Sequence, residues 1–119
     1  MFVTAGPRLR LHVLPTLWFR NTWTWSPETT KPVVADITGS KKHRVLLASH
    51  PHLGNLYLYC TGAPQLLFTE NETNNERSFG ASNASPYVKD GISDFLESKN
   101  RCAINPERKG TEASAHYQV

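Results

Sequence analysis

The chain has 119 residues, enough for one domain and too few for two independent cores. Hydrophobic residues at 39% against charged residues at 19% exclude a disordered tail. A net charge of +3, scattered along the chain, excludes a nucleic-acid stripe, and no stretch reaches the about 20 apolar residues that cross a bilayer. Neither nucleic acid nor membrane is therefore expected as a partner.

From Leu9 to Phe19 the odd positions Leu9, Leu11, Val13, Pro15, Leu17 and Phe19 form an apolar file. The even positions Arg10, His12, Leu14, Thr16 and Trp18 begin polar and become mixed, the period of two that marks a strand. Pro15 removes one ladder donor, so this strand is expected at a sheet edge or with a bulge near its middle. Its apolar half-face calls for a second sheet to pack against.

Residues 21–31 read as a loop rich in Thr, Trp, Ser and Pro. Short strands are expected at 32–37, 44–49, 56–60 and 65–69. Turn chemistry separates them at Gly39-Ser40, at Pro51-His52-Leu53-Gly54-Asn55 and at Gly62-Ala63-Pro64. The basic run Lys41-Lys42-His43-Arg44 beside Gly39-Ser40 reads as solvated loop charge. Strands at this spacing predict a mainly-β fold, an antiparallel β-sandwich of two layers.

The second half changes character. Residues 70–85 are polar, with Asn71, Asn74, Asn75 and Asn83, and are expected to be a long loop. Val88, Ile92, Phe95 and Leu96 then fall on one stripe of a short helix, with Ser85 as cap and Pro86 in its first turn. Gly91 weakens that helix by about 1 kcal/mol relative to Ala. Residues 100–110 read as irregular, and 113–119 as the start of another strand. The chain is thus expected to be one sandwich domain over 1–119, strands over 1–69 and polar loop, short helix and tail over 70–119.

Cys60 and Cys102 match no metal or redox spacing, and Cys60 ends an apolar run as a buried small hydrophobe would. That usage points to a reducing, cytoplasmic setting. Residues 1–7 carry no basic segment followed by an apolar core, so no secretion signal is expected. The sequons at Asn71 and Asn83 carry no weight in that setting.

Two blocks are more specific than composition. One runs Leu11-His12-Val13-Leu14-Pro15-Thr16-Leu17-Trp18-Phe19-Arg20-Asn21-Thr22-Trp23-Thr24-Trp25. The other begins at Gly62-Ala63-Pro64 and passes through Leu67-Phe68-Thr69-Glu70-Asn71-Glu72-Thr73-Asn74 and Asn83-Ala84-Ser85-Pro86-Tyr87-Val88-Lys89-Asp90-Gly91. It ends in Asn105-Pro106-Glu107-Arg108-Lys109-Gly110-Thr111 and Ala115-His116-Tyr117. In order and content they resemble the N-terminal β-sandwich region of glucosidase-like glycoside hydrolases, related to glycoside hydrolase family 63 and to mannosylglycerate hydrolases. The resemblance implies part of a supersandwich that precedes an (α/α)6 barrel. It implies hydrolysis of a glycosidic bond with inversion, by an acid and a base that lie in that barrel. No catalytic residue, cofactor or metal site is therefore expected in this chain. The expected partners are an oligosaccharide or glycoside and the catalytic barrel.

Amides and carboxylates match sugar hydroxyls, so Glu70, Asn71, Asn74, Asn83, Tyr87, Lys89 and Asp90 are candidate substrate-binding residues facing such a barrel. The alternative is that they cap turns and satisfy buried backbone. Trp23 and Trp25, beside a loop, are candidate sugar platforms or packing residues, whereas Trp18 within a strand is expected to pack in a core or against another domain. Among Glu70, Glu72, Glu76, Asp90 and Asp94 an acid–base pair is conceivable, but solvated surface charge is the better reading. His50 and His52 have the spacing of a metal pair, yet Pro51 between them favours a turn. A stand-alone carbohydrate-binding sandwich is the rival to a hydrolase segment.

Overall fold

The computed structural model describes residues 11–25, 28–39 and 42–118. Leu9 and Arg10 of the expected first strand, part of the 21–31 loop, Ser40 of the first turn, Lys41 and Val119 lie outside these residues, as do residues 1–7.

Eight strands and two helices follow in the order β1 (His12–Val13), β2 (Thr16–Trp18), β3 (Val33–Asp36), β4 (His43–His50), β5 (Gly54–Thr61), β6 (Gln65–Thr69), α1 (Asn75–Phe79), α2 (Gly91–Ser98), β7 (Lys109–Gly110) and β8 (Glu112–Gln118). The mainly-β expectation holds: two antiparallel sheets make the fold. In the first, β8 is central, with β6 on one side and β1 and β2 on the other; the second runs β5-β4-β3-β7. Between them lie Phe19, Val34, Leu46, Ala48, Cys60, Leu66, Phe68, Ala113 and Ala115, with Leu17, Trp23, Leu58 and Tyr117 at the margin. No described helix is long and apolar enough to cross a membrane.

Pro15 divides the expected first strand into two pieces that share one register on β8. His12 lies opposite Gln118 and Thr16 opposite Ser114, so no residue is gained or lost between them. The strand is therefore an edge without a bulge, and the Pro15 carbonyl still accepts from the Ala115 N–H at 3.0 Å. Its apolar file is buried only at one end. Phe19 is buried and Leu17 half-buried, whereas Leu11 and Val13 are exposed because the second sheet does not reach them.

The second half is more regular than its composition implies, and four expectations are corrected here. The 70–85 stretch contains α1, capped by the Asn74 carboxamide accepting from the Arg77 N–H at 3.1 Å and closed by Gly80 in the left-handed region at φ 68°. The 100–110 tail contains a 3-10 turn at Arg101–Ala103 and then β7. The strand expected from 113 is present over 112–118 and forms the centre of a sheet, so strands are not confined to 1–69. Finally, α2 begins at Gly91 rather than at Pro86. The residues before it are held elsewhere: the Glu70 N–H donates to the Tyr87 carbonyl at 2.7 Å and the Lys89 N–H to the Glu72 carbonyl at 3.1 Å. Ser85 Oγ accepts from the Tyr87 N–H, a local turn rather than a helix cap. Val88 is buried as its period required, but ahead of the helix.

Gly91 opens α2 because nothing larger fits. A β-carbon there would stand 2.3 Å from the Ala103 carbonyl oxygen and 3.1 Å from Thr69 Cγ2. Helix propensity alone favours Ala at this position by about 1 kcal/mol. The contact reverses the sign, and Gly91→Ala should lower stability by about 1–3 kcal/mol in denaturant unfolding.

Asp36 ties β3 to the turn before β7. Burial works against its carboxylate, but Thr38 donates from both its hydroxyl and its backbone N–H, and the Arg108 guanidinium pairs with it. Together these hold its pKa below the ordinary 3.8. The pairing thus stabilises fully above that value, and its contribution is lost as pH falls through the lower folded value. Asp36→Asn should lower the melting temperature at neutral pH and flatten the loss of stability below pH 3.8, measured by calorimetry across pH.

Candidate functional site

The chain leaving β6 turns across the end of the sandwich and gathers the first group of polar residues. Thr69 is fully buried. Glu70 Oε2 accepts from Thr111 Oγ1 at 2.7 Å and from the Thr111 N–H at 3.2 Å. Thr111 Oγ1 in turn accepts from the Asn71 N–H at 2.8 Å. The Asn71 carboxamide donates to the Phe19 carbonyl at 2.8 Å, and Asn21 donates to the Asn71 carbonyl at 2.9 Å. The Trp23 indole N–H reaches Glu72 Oε2 at 3.0 Å.

Lys31 closes the group. Its ammonium lies 3.2 Å from Glu70 Oε2, 3.0 Å from Glu72 Oε2 and 5.9 Å from the Trp23 ring centre. Partial burial pulls the Lys31 pKa down, but the bond to Glu72 and the charges of both carboxylates outweigh it, so the net shift is upward. The two carboxylates share one cation. Their Oε2 atoms are no further apart than those two contacts laid end to end, short of the about 6.5–9.5 Å that an inverting pair keeps open for its water. As built, this is an aromatic–cation–carboxylate cluster suited to holding polar groups, not an acid–base couple.

The second group lies around α1 and the start of α2. Asn83 Oδ1 accepts from the N–H groups of Asn75 and Glu76, and its amide donates to Asn74 Oδ1 at 3.1 Å. Arg77 bridges to Asp90 at 3.2 Å and to both oxygens of Asp94 at 3.0 and 3.1 Å. An open cleft of about 430 Å³ lies here, lined by Asn74, Arg77, Asn83, Val88, Asp94 and Asn100 among others. Its lining is mainly polar and charged, with Val88 as an apolar contribution.

The structure therefore divides the candidate residues. Glu70, Asn71 and Trp23 join the first group, Asn74, Asn83 and Asp90 the second. The carboxamides of Asn71, Asn74 and Asn83 are all engaged in internal hydrogen bonds. Tyr87 and Lys89 hold the two groups together through their backbones, with the Tyr87 side chain half-buried and that of Lys89 exposed. Trp25 stands apart, 72% exposed. Trp18 is not core: it is 56% exposed on the outer face of the first sheet, opposite Glu112. Burial pushes the Glu112 carboxyl up, against a hydroxyl bond from Thr69 and the charge of Lys89. His50 belongs to the turn, its Nδ1 accepting from the N–H groups of His52 and Leu53.

Lys31, Asn21, Thr111 and Arg77 are the site residues that sequence reasoning missed. Lys31 lies some forty positions from its carboxylates, and no local period or motif links such residues.

The chain is similar to a Saccharomyces cerevisiae protein described as uncharacterized protein YMR196W, with 30% identity over 129 aligned residues. The alignment takes in 90% of this chain and 12% of that protein, so the chain spans a small part of the length of the curated relative it matches. No family profile matches the sequence. No solved structure matches it.

Removing the shared cation tests the first group. Lys31→Met leaves two largely buried carboxylates facing each other and should cost about 1–2 kcal/mol, between the values for exposed and buried pairs. Adding Glu72→Gln to Lys31→Met should return part of that loss in the same unfolding assay.

Proposed function

We propose that this chain is a β-sandwich segment of a glucosidase-like glycoside hydrolase, docked against a larger catalytic body whose substrate channel it helps to wall. The observation that carries the reading is an uncovered sheet face. On the second sheet Val33, Ile37, Tyr57 and Tyr59 are exposed, and Ala35, Val45 and Leu47 are half-buried on the same face. The first sheet has α2 laid over the Leu67 side of its outer face, whereas no described element covers this one. An antiparallel sheet with a solvated outer face alternates toward polar residues; this one does not, as expected where further protein packs on it.

The likeness to a much longer yeast protein supports a segment over a free module. The sequence blocks that resemble the family 63 sandwich supply the chemistry: an inverting glycosidase whose acid and base come from the barrel. The Trp23–Lys31–Glu72 cluster and the cleft beside Arg77 are the surfaces offered to a glycoside. Two free thiols, buried Cys60 and exposed Cys102, fit a cytoplasmic setting.

The rival reading, a free carbohydrate-binding module, is favoured by the exposed indoles of Trp18 and Trp25. Assaying the intact yeast relative for release of sugar from α-glucosides, with and without the region that aligns to this chain, separates the two. Activity that falls at least tenfold when the region is removed supports the proposal. An intact relative inert on every glycoside tested, together with oligosaccharide binding by this chain alone in a calorimetric titration, would replace it with the rival.

A further inference from the structure

We infer that β5 is a pairing edge and that its occupant in solution is β5 of a second copy of this chain, giving one continuous antiparallel sheet across a twofold axis. A sheet edge left bare attracts other strands, and folded proteins blunt their edges with proline, charge, brevity or a covering segment. Among the described residues, three of the four sheet edges carry such a device. Pro15 interrupts the edge formed by β1 and β2. The free side of β6 is covered by the 101–105 segment, whose Asn105 N–H donates to the Phe68 carbonyl at 2.9 Å. At the far end of the second sheet, β7 has two residues, one of them Lys109 paired with Glu107 at 3.5 Å.

β5 carries none of these. All eight of its residues pair with β4 in an unbroken register, from Gly54 opposite His50 to Thr61 opposite His43, with no bulge. The stretch Gly54-Asn55-Leu56-Tyr57-Leu58-Tyr59-Cys60-Thr61 contains no proline and no charged side chain. Among the described residues no strand lies beyond it. In an antiparallel ladder alternate residues turn both backbone groups away from their partner, so about half of β5 offers its N–H and C=O outward. Leu56, Tyr57 and Tyr59 are 53%, 53% and 64% exposed along the same strand.

The strand is also complementary to itself. A twofold axis that pairs two antiparallel strands in one sheet stands normal to the sheet and keeps each face on its own side. A residue therefore meets one of its own face. With the axis at Leu58, Tyr57 lies opposite Tyr59 of the second copy and Leu56 opposite Cys60. Aromatic then meets aromatic on the outer face and aliphatic meets thiol on the inner, and no like charges oppose each other. Eight residues span about 26 Å. The exposed Leu53, Leu56, Tyr57 and Tyr59 lie along this edge, and a stable interface needs about 1,200 Å² in total at the low end.

Sedimentation velocity of the full chain over a concentration series tests this. The expected result is a shift from monomer to a discrete dimer as concentration rises through the micromolar range, with outward β5 amides exchanging more slowly in the dimer. Tyr57→Lys combined with Tyr59→Lys should abolish the dimer while leaving the melting curve of the dilute protein in place. Trp18→Lys, on the other sheet, should leave the dimer intact. A monomer at all concentrations, open-ended aggregates without a dimer, or a dimer that survives the paired Lys substitutions overturns the inference. Should the paired variant fail to fold, slowed exchange confined to β5 in the wild-type dimer supports the proposal, and unchanged β5 exchange overturns it.

Discussion

Thr69 is the point on which the two sheets and the helical half converge. It is fully buried at the end of β6, and two glycines close on it from different parts of the chain. At Gly110 a β-carbon would stand 2.2 Å from the Thr69 carbonyl oxygen, and at Gly91 3.1 Å from its Cγ2. The same carbonyl accepts from the Thr111 N–H at 3.2 Å. Close backbone approach of this kind demands residues without side chains. It brings β7, and through it the second sheet, against β6, while setting where α2 may begin. The polar groups of residues 70–90 take their positions from that junction: Glu70 is tied to Thr111, and Glu72 is carried to Trp23 and Lys31 two residues on.

The candidate site accordingly has the character of a braced corner. Its carboxylates are satisfied by one ammonium, an indole N–H and a threonine, and its asparagines by backbone and by each other. Among the described residues, no buried side-chain nitrogen or oxygen lacks a partner. Such pre-organisation suits recognition, where a fixed array of donors and acceptors meets a ligand without reordering. It suits proton transfer less, because both carboxylates are held by the same ammonium.

The layered β-architecture was legible from the sequence because it rests on local period. The short apolar run at 65–69 and the turns around Pro51 and Gly62 mark strands at their observed places. What was not legible depends on contacts distant in the chain. The polar 70–85 stretch conceals α1 because its stability comes from the Asn83 carboxamide eight residues beyond the helix start, not from an apolar stripe. Ser85-Pro86 has the chemistry of a helix start, but pairing of Tyr87 and Lys89 with the segment after β6 takes that backbone out of competition. Gly91 reads as a weak helix residue until the Ala103 carbonyl is seen against it. In the site, Glu70, Asn71 and Trp23 could be named by residue type, whereas Lys31 and Thr111 could be found only by tertiary contact.

The position of β8 sets an order of events in folding. Its neighbours β1 and β2 lie about a hundred residues earlier in the chain, and β6 some fifty earlier. The second sheet, by contrast, is built largely from the adjacent strands β3, β4 and β5. Loop-closure entropy favours the nearer pairings, so the β4–β5 hairpin can form early, while Leu66, Phe68 and Phe19 keep their apolar faces open until residues 112–118 arrive. On a ribosome that interval lasts as long as the synthesis of the intervening chain. A nascent polypeptide halted before Glu112 would hold one half of its sandwich assembled and the other half as bare hydrophobic surface, a natural substrate for a chaperone.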